Sequence, residues 1–285
     1  ADLVYRVVGN GRTRTVAEKA GIAYREGGPS QESRVTRGLS TLVRGDVREV
    51  IPSGEFAVSA CALRGQPPGE EPPLSAILRD APGGAAGFLR QYATDLMGVA
   101  LPVMWRFGVA MESHLQNTMV RIAPGHTGPT YAGLVLRDFS GLRILKDRMR
   151  AAGYEVPTRP GALTATDDVD EFLDKGYYAN VFANLSGMVE AVAEAQQWLE
   201  SPENPHELWQ VVRDVVDEII AAEDVRDHEV DRLLAPVLHQ KAFVTMALAT
   251  DGGDRYVDIP NPLVTHSGQS QEDGASARAQ AVKSN

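Results

Sequence analysis

Cysteine, lysine and long apolar runs are what this 285-residue sequence has least of. Its single cysteine, Cys61, cannot close a disulfide within the chain and excludes a four-cysteine zinc or iron–sulfur centre. A solitary thiol of this kind is expected to be buried, in a reducing compartment. No stretch approaches the ~18 apolar residues of a membrane span. The opening ADLVYRVV shows neither a basic leader nor an apolar signal core, so the expected location is the cytoplasm, with no membrane partner. The net charge of −10 excludes a general nucleic-acid binder, because phosphate backbones require a concentrated basic surface. Also missing are a P-loop, a dinucleotide fingerprint, a nucleophile elbow, a paired-histidine zinc helix and any internal repeat.

Positive charge is concentrated instead in arginines, in GRTRTV and SRVTRGLSTLVRGDVR. Arginine grips phosphate or carboxylate through two parallel donors, so these runs suit small anionic ligands, with plain solvated arginines as the alternative.

Periodicity points to an α+β protein: a mainly antiparallel, palm-like sheet covered by long helices. LVYRVV (3–8) reads as a strand closed by the turn GNG, and LSTLV and EFAVSACAL as two further strands separated by PSG. GQPPGEEPP is a proline-rich surface connector. From residue 84 to 108, Phe88, Tyr92, Leu96, Val99, Val103 and Phe107 form one apolar stripe of a helix, in which Pro102 predicts a kink or a break. NTMVRI and YAGLVLRDF, joined by a glycine- and proline-bearing loop, predict a hairpin. Three helical stretches come next, the first with a threonine cap, the second (NPHELWQ) with an asparagine cap and proline at the first position, and the third DHEVDRLLAPVLHQKAFVTMAL. They are expected to pack as an antiparallel layer. The expected divisions are a β-rich part at 1–66, a helix and hairpin at 67–165, a helical region at 166–265 and a disordered tail at 266–285.

The chemistry concentrates where helix end and hairpin end meet. MESHLQNTMVRI brings Glu112, His114, Gln116 and Asn117 to a turn, and the returning strand ends at Arg137 and Asp138. Two carboxylates and an amide from separate segments match the oxygen ligands that magnesium takes beside substrate phosphates, which nominates Glu112, Asn117 and Asp138. His114 and Arg137 then hold a phosphate or stabilise charge that develops as pyrophosphate leaves. Each group also has a plainer reading: a histidine that caps a helix, an Arg-Asp pair on the surface. Asparagine, hairpin and Asp-Phe in this order also fit the metal-binding half of kinase-type phosphotransferases, although no acidic catalytic base stands a few residues before Asn117 and no glycine-rich loop with a strand lysine precedes it.

These same residues carry a family resemblance. ESHLQN resembles the E-A-H-x-Q-N motif of the NRPS-independent siderophore synthetases of the aerobactin-synthetase type, and LVLRDFSGLRI resembles their R-D-F-G-G strand. GRTRTVAEKA is similar to the stretch that lines the ATP phosphates in that family. PSGEFAVSACAL is similar to its P-G-E-x-x-V-P-x-A-A-L run, with Arg44 just before it. HQKAFVTMAL with IPNPL resembles the closing lysine-helix and N-P-L signature. The resemblance spans residues 1 to about 263 and corresponds to the C-terminal half or somewhat more of such an enzyme, so the N-terminal domain is expected to be missing. The sequence departs from the pattern at the serine expected just before Arg14 and at Ser113, where alanine is common.

The resemblance implies ATP and Mg2+ as cofactors and a small carboxylic acid and an amine as substrates. ATP activates a carboxylate of citrate, or of a succinyl-type acid, as an acyl-adenylate, and an amine or hydroxylamine displaces AMP. It further implies that Arg14, Thr15, Arg44 and Gln116 contact ATP, that His114 lies between ATP and the acid, and that Lys241 reaches the acid pocket, a helix-end lysine facing solvent being the alternative. Family members often form dimers, so a homodimer through the helices after 166 is expected. Ferric-siderophore reductases share the C-terminal region of this superfamily, but their iron–sulfur cluster needs several cysteines. A kinase-like small-molecule phosphotransferase and a truncated, non-catalytic ligand-binding module are the competing functional readings.

Overall fold

Gly84–Phe107 is buried on nearly every side rather than along one stripe: besides Phe88, Tyr92, Leu96, Val99 and Val103, the residues Leu89, Ala93, Met97, Leu101 and Met104 are also sealed from solvent. A sheet lies on one flank and helices on the other, so a single stripe does not suffice. Pro102 lies inside this helix without dividing it. The helix ends at Gly108, whose left-handed conformation (φ 67°) lets its N–H reach Met104 O at 3.0 Å.

The computed structural model describes residues 11–22, 41–64, 69–156, 164–199, 204–248 and 255–265. The strand expected at 3–8 and the tail expected from 266 lie outside the described residues, as does part of the proline-rich connector. In chain order the elements are β1 Thr13–Thr15, β2 Glu18–Ile22, β3 Thr41–Arg44, β4 Phe56–Ser59, α1 Pro73–Arg79, α2 Gly84–Phe107, β5 Val109–Ala110, β6 Thr118–Pro124, β7 Pro129–Leu136, β8 Arg143–Leu145, α3 Lys146–Ala151 and β9 Ala165–Thr166. Then come α4 Val169–Tyr177, a π-helix Tyr178–Ser186, α5 Gly187–Ala195, α6 Pro205–Ala222, α7 Asp227–Leu233, β10 Val237–Lys241, α8 Phe243–Leu248, β11 Tyr256–Pro260 and α9 Pro262–Thr265.

The expected α+β architecture holds, with the sheet in smaller pieces. The largest sheet has the order β1-β7-β6-β4; the β6–β7 hairpin and the β4–β6 pair are antiparallel, while β1 joins β7 in parallel. A partly buried polar cluster fixes β1 to α2: Arg12 Nε donates to both Asp95 oxygens at 3.0 and 3.1 Å, Tyr131 Oη donates to Asp95 at 2.9 Å, and Thr13 Oγ1 donates to Asp95 O at 2.8 Å. Arg121 ties the same edge to β4 through a two-pronged contact with Glu55, 2.8 and 3.0 Å. Among the described residues no helix is long and apolar enough to cross a membrane.

Several local expectations are corrected. Helix α1 occupies part of what reads as connector, its N-terminal prolines standing where no helical donor is needed. Asp168, not a threonine, caps α4 by accepting from Glu171 N at 3.1 Å; Thr166 Oγ1 accepts from Asp168 N instead. The third helical stretch stops at Leu233, and HQK lies in β10, paired antiparallel with β11. Pro236 cannot continue a helix, and the buried Asn261 draws the chain aside by donating to Leu233 O and Ala235 O at 2.9 and 2.8 Å. Cys61 is exposed rather than buried: in the 3-10 turn Ala60–Leu63 the two ends, three residues apart, face the core and leave Cys61 outside.

Candidate functional site

Hairpin register brings the two halves of the site together. Thr118 of β6 faces Leu136 of β7, so the next residues outward are Asn117 and Arg137, and Arg137 N donates to Asn117 O at 3.0 Å. Asn117 folds the preceding loop back on itself: its N–H donates to His114 O (2.9 Å) and its amide nitrogen to Glu112 O (3.0 Å). On the other side the chain turns sharply at Asp138, the one non-glycine residue with positive φ (66°) among those described. Asp138 Oδ1 accepts from Ser140 Oγ at 2.6 Å, which stabilises the turn. Strands β2 and β3 lie alongside, through Arg44 Nη2 to Asp138 Oδ2 at 2.6 Å and Phe139 N to Glu18 at 3.3 Å.

A cavity of about 180 Å³ opens between these segments, lined by Arg44, Glu112, His114, Gln116, Asn117, Arg137, Asp138 and Ser140. Seven of the ten residues nominated from sequence therefore share one cleft. Arg14 and Thr15 do not line it. They lie on β1 beside the end of β7; Arg14 Nε donates to Gly11 O at 3.0 Å and Thr15 is turned inward. Lys241 approaches from behind: in its strand it points inward, 3.7 Å from Glu112 Oε1 and 5.9 Å from the centre of the Tyr178 ring, so it is not a helix-end lysine facing solvent.

Sequence reading missed Lys175, whose ammonium is 2.6 Å from the same Glu112 oxygen. Its signal was a lysine three residues after Phe172, on the buried face of α4. A buried lysine and a half-buried one thus converge on one glutamate. Burial pushes the Lys175 ammonium below its usual range, opposed by the hydrogen bond to Glu112 and reinforced by Lys241. For Asp138, partial burial raises the carboxyl, but the hydrogen bond from Ser140 and the Arg44 charge prevail and hold it below the usual carboxylate range. A lowered folded-state value contributes stability in full above the ordinary carboxylate range, lost as pH falls through the lowered value. The Arg44–Asp138 pair is therefore intact at neutral pH.

A second missed feature is what holds the loop. Asn180 Nδ2 donates to Met111 O (3.4 Å), Asn184 Nδ2 to Ser113 O and to Thr118 Oγ1, and Leu115 N donates to Ala183 O (3.1 Å). Alternate loop residues are thus gripped by the π-helix, a winding often found at functional sites. From the opposite side Gly141 closes on Glu112: a Cβ there would come 1.8 Å from Glu112 Oε2. Gly141→Ala is accordingly expected to displace the Glu112 carboxylate from Lys175, lowering the melting temperature by several degrees and turnover about tenfold or more; wild-type kinetics for this variant would show that Glu112 has no fixed working position.

A model of the family described as ferric iron reductase FhuF-like transporter matches residues 87–255. Among curated proteins, a D-ornithine–citrate ligase of Staphylococcus aureus is 25% identical over 249 residues, 79% of this chain and 37% of the relative. An NRPS-independent siderophore synthetase-like protein of Aspergillus thermomutatus is 23% identical over 250 residues, 85% of this chain and 39% of the relative. The petrobactin biosynthesis protein AsbB of Bacillus anthracis shares the fold, with a TM-score of 0.72 at 16% identity over 98% of this chain and 46% of that one. ATP-bound aerobactin synthetase IucA of Klebsiella pneumoniae does so with a TM-score of 0.63 at 16% identity over 92% and 47%. The chain thus spans less than half the length of these relatives. It belongs to the FhuF-like family, and it is similar to the C-terminal part of NRPS-independent siderophore synthetases.

Proposed function

We propose that the chain carries the nucleotide-handling part of an ATP-dependent carboxylate–amine ligase of siderophore assembly, acting on citrate or a similar acid. The observation that carries this reading is the cleft itself, where two acidic side chains, two amides, a histidine and two arginines from distant segments face one space. Arg44, which lines the cleft, has a buried Nε without a hydrogen-bond partner among the described residues and so keeps donor capacity for an anionic ligand. The D-ornithine–citrate ligase among the relatives and the ATP-bound synthetase among the neighbours support the same substrates.

In this reading Arg44, Arg137 and Gln116 hold the triphosphate in the cleft, and Arg14, on the neighbouring strand, belongs to its outer border, while the inward-turned Thr15 only supports that strand. The positive excess of Lys175 and Lys241 over Glu112 attracts a carboxylate of the acid. A carboxylate oxygen attacks the α-phosphorus, the new C–O–P linkage forms as the bond to the β-phosphate oxygen breaks, and pyrophosphate departs against Arg44 and Arg137. The amine nitrogen then attacks the acyl carbon, the bond to AMP breaks, and His114 takes the proton that the nitrogen loses. Among the described residues no group of three His, Cys, Asp or Glu side chains could hold a metal. Glu112, Asp138 and the Asn117 amide nevertheless offer hard oxygens, and a pair of carboxylates with phosphate oxygens is a sufficient set for magnesium. When bound there, magnesium supplies neutralisation of charge on the phosphates.

With ATP, magnesium, citrate and hydroxylamine, the chain is expected to form citryl hydroxamate and AMP in equal amounts. ADP in place of AMP, or no nucleotide product at all, would remove the adenylation reading.

A further inference from the structure

A cavity of about 490 Å³ lies between the C-terminal end of α2, the turn from β8 into α3 and the starts of α4 and α7, and it shares no lining residue with the cleft. That volume falls in the range of small-molecule sites. Part of its lining is apolar: Leu145, Ala151, Ala152, Val169 and Trp105, whose ring nitrogen is taken by Tyr177 Oη at 3.4 Å. These side chains offer a ligand only carbon surface.

The charged part of the lining consists of two aspartates and three arginines. Three of the five are answered by partners of their own: Asp147 by Arg150 at 2.9 Å, Asp167 by Lys146 at 2.5 Å, and Arg106 by Glu223 at 2.5 and 2.6 Å. Arg148 and Arg226 share a single carboxylate. Glu229, 2% exposed and not itself part of the lining, contacts Arg148 Nη2 and lies 3.9 Å from Arg226 Nη1, so one guanidinium charge in excess faces the cavity. Arg148 also has a donor to spare. It is buried, its Nη1 donates to Met104 O at 3.3 Å, and its Nε has no hydrogen-bond partner among the described residues. A buried donor without an acceptor is costly, and an anion brought against this side chain relieves that cost.

We propose that this cavity binds a small carboxylic acid with an apolar body, in its ionised form. The carboxylate lies against Arg148 and Arg226, and the hydrocarbon part covers Trp105, Leu145 and Val169. One carboxylate matches the one excess charge, whereas a phosphate monoester brings a second negative charge toward Asp147 and Asp167. The inference does not depend on the ligase reading, because none of these residues lines the cleft.

Calorimetry on the full chain with hexanoate and with hexan-1-ol, which differ only in the head group, isolates the charge. Hexanoate is expected to bind about tenfold more tightly. Arg226→Gln, a change at a largely exposed side chain, is expected to reduce that advantage about fivefold, and Ala152→Glu, which puts a further carboxylate into the cavity, to abolish hexanoate binding. Arg137→Gln, in the cleft, is expected to leave hexanoate binding unchanged. No saturable binding of hexanoate, equal affinities for acid and alcohol, or an advantage kept in full in Arg226→Gln would overturn the proposal. So would binding that is lost in Arg137→Gln and retained in Ala152→Glu, which would put the acid in the cleft. Displacement of hexanoate by an equal concentration of inorganic phosphate would overturn the choice of a carboxylate.

Discussion

Asp138→Asn is expected to reduce adenylation by a factor of about 100 to 1,000 while moving the melting temperature by no more than about 2 °C. The asparagine is chosen because the backbone at this position is left-handed, a conformation that Asn and Asp tolerate better than other side chains. Its amide oxygen still accepts from Ser140, so the turn at 139–141 keeps its cap. Only the negative charge is withdrawn, and with it the counter-charge of Arg44 and one proposed magnesium ligand. Asp138→Ala removes charge, cap and conformational tolerance together, and is expected to cost a further ~1–3 kcal/mol of stability. Steady-state adenylation assays beside thermal melts of both variants make the comparison. Full turnover in the asparagine variant would mean that the carboxylate has no part in the chemistry.

The second large effect is structural. Asn184→Leu is expected to destabilise the protein by about 2–4 kcal/mol and lower its melting temperature by about 5–12 °C. Asn184 is fully buried; it accepts from Tyr92 Oη at 2.7 Å and donates to Thr118 Oγ1 at 2.9 Å and to Ser113 O. Burial drives the Tyr92 hydroxyl far above its usual range, so it remains a donor at every accessible pH and would be stranded beside a leucine. Leucine has a similar volume, so lost hydrogen bonds rather than a cavity set the cost. Because two of the three partners lie in or next to the site loop, affinity for ATP should fall together with stability. A calorimetric melt within about 1 °C of the parent would show that the loop is held by something other than this network.

What was legible in the sequence were features fixed by short-range rules. Gly108 ends its helix because a left-handed residue is needed there, and Asn204 caps α6, accepting from His206 N at 2.9 Å, because the first turn leaves donors unpaired. The hairpin arose from two apolar runs around glycine and proline, and it brought Asn117 beside Arg137 as its spacing required. What was hidden depends on contacts between distant segments. Lys175 reads as an interruption of an apolar face until Glu112, 63 positions away, is seen opposite. The π-helix is invisible to periodicity, because 178–186 continues the apolar pattern of an ordinary helix and only the partners of Asn180, Ala183 and Asn184 reveal its role. Lys241 looked helical because VLHQK has no turn residue to separate it from the apolar run AFVTMAL, and its pairing with β11 decides the matter.

The single-cysteine composition also bears on the family description. An iron–sulfur cluster held by several cysteines cannot be built from this chain, whose one thiol is exposed on a 3-10 turn away from the residues of the cleft. Carboxylate, amide and arginine are what the shared fold presents here.

The most direct measurement is exchange of labelled pyrophosphate into ATP with and without an added carboxylic acid. Reversal of acyl-adenylate formation requires label to enter ATP only when citrate or a comparable acid is present, and the exchange should all but vanish in Asp138→Asn. Label that enters without any acid, or no exchange alongside steady release of ADP, would contradict the account.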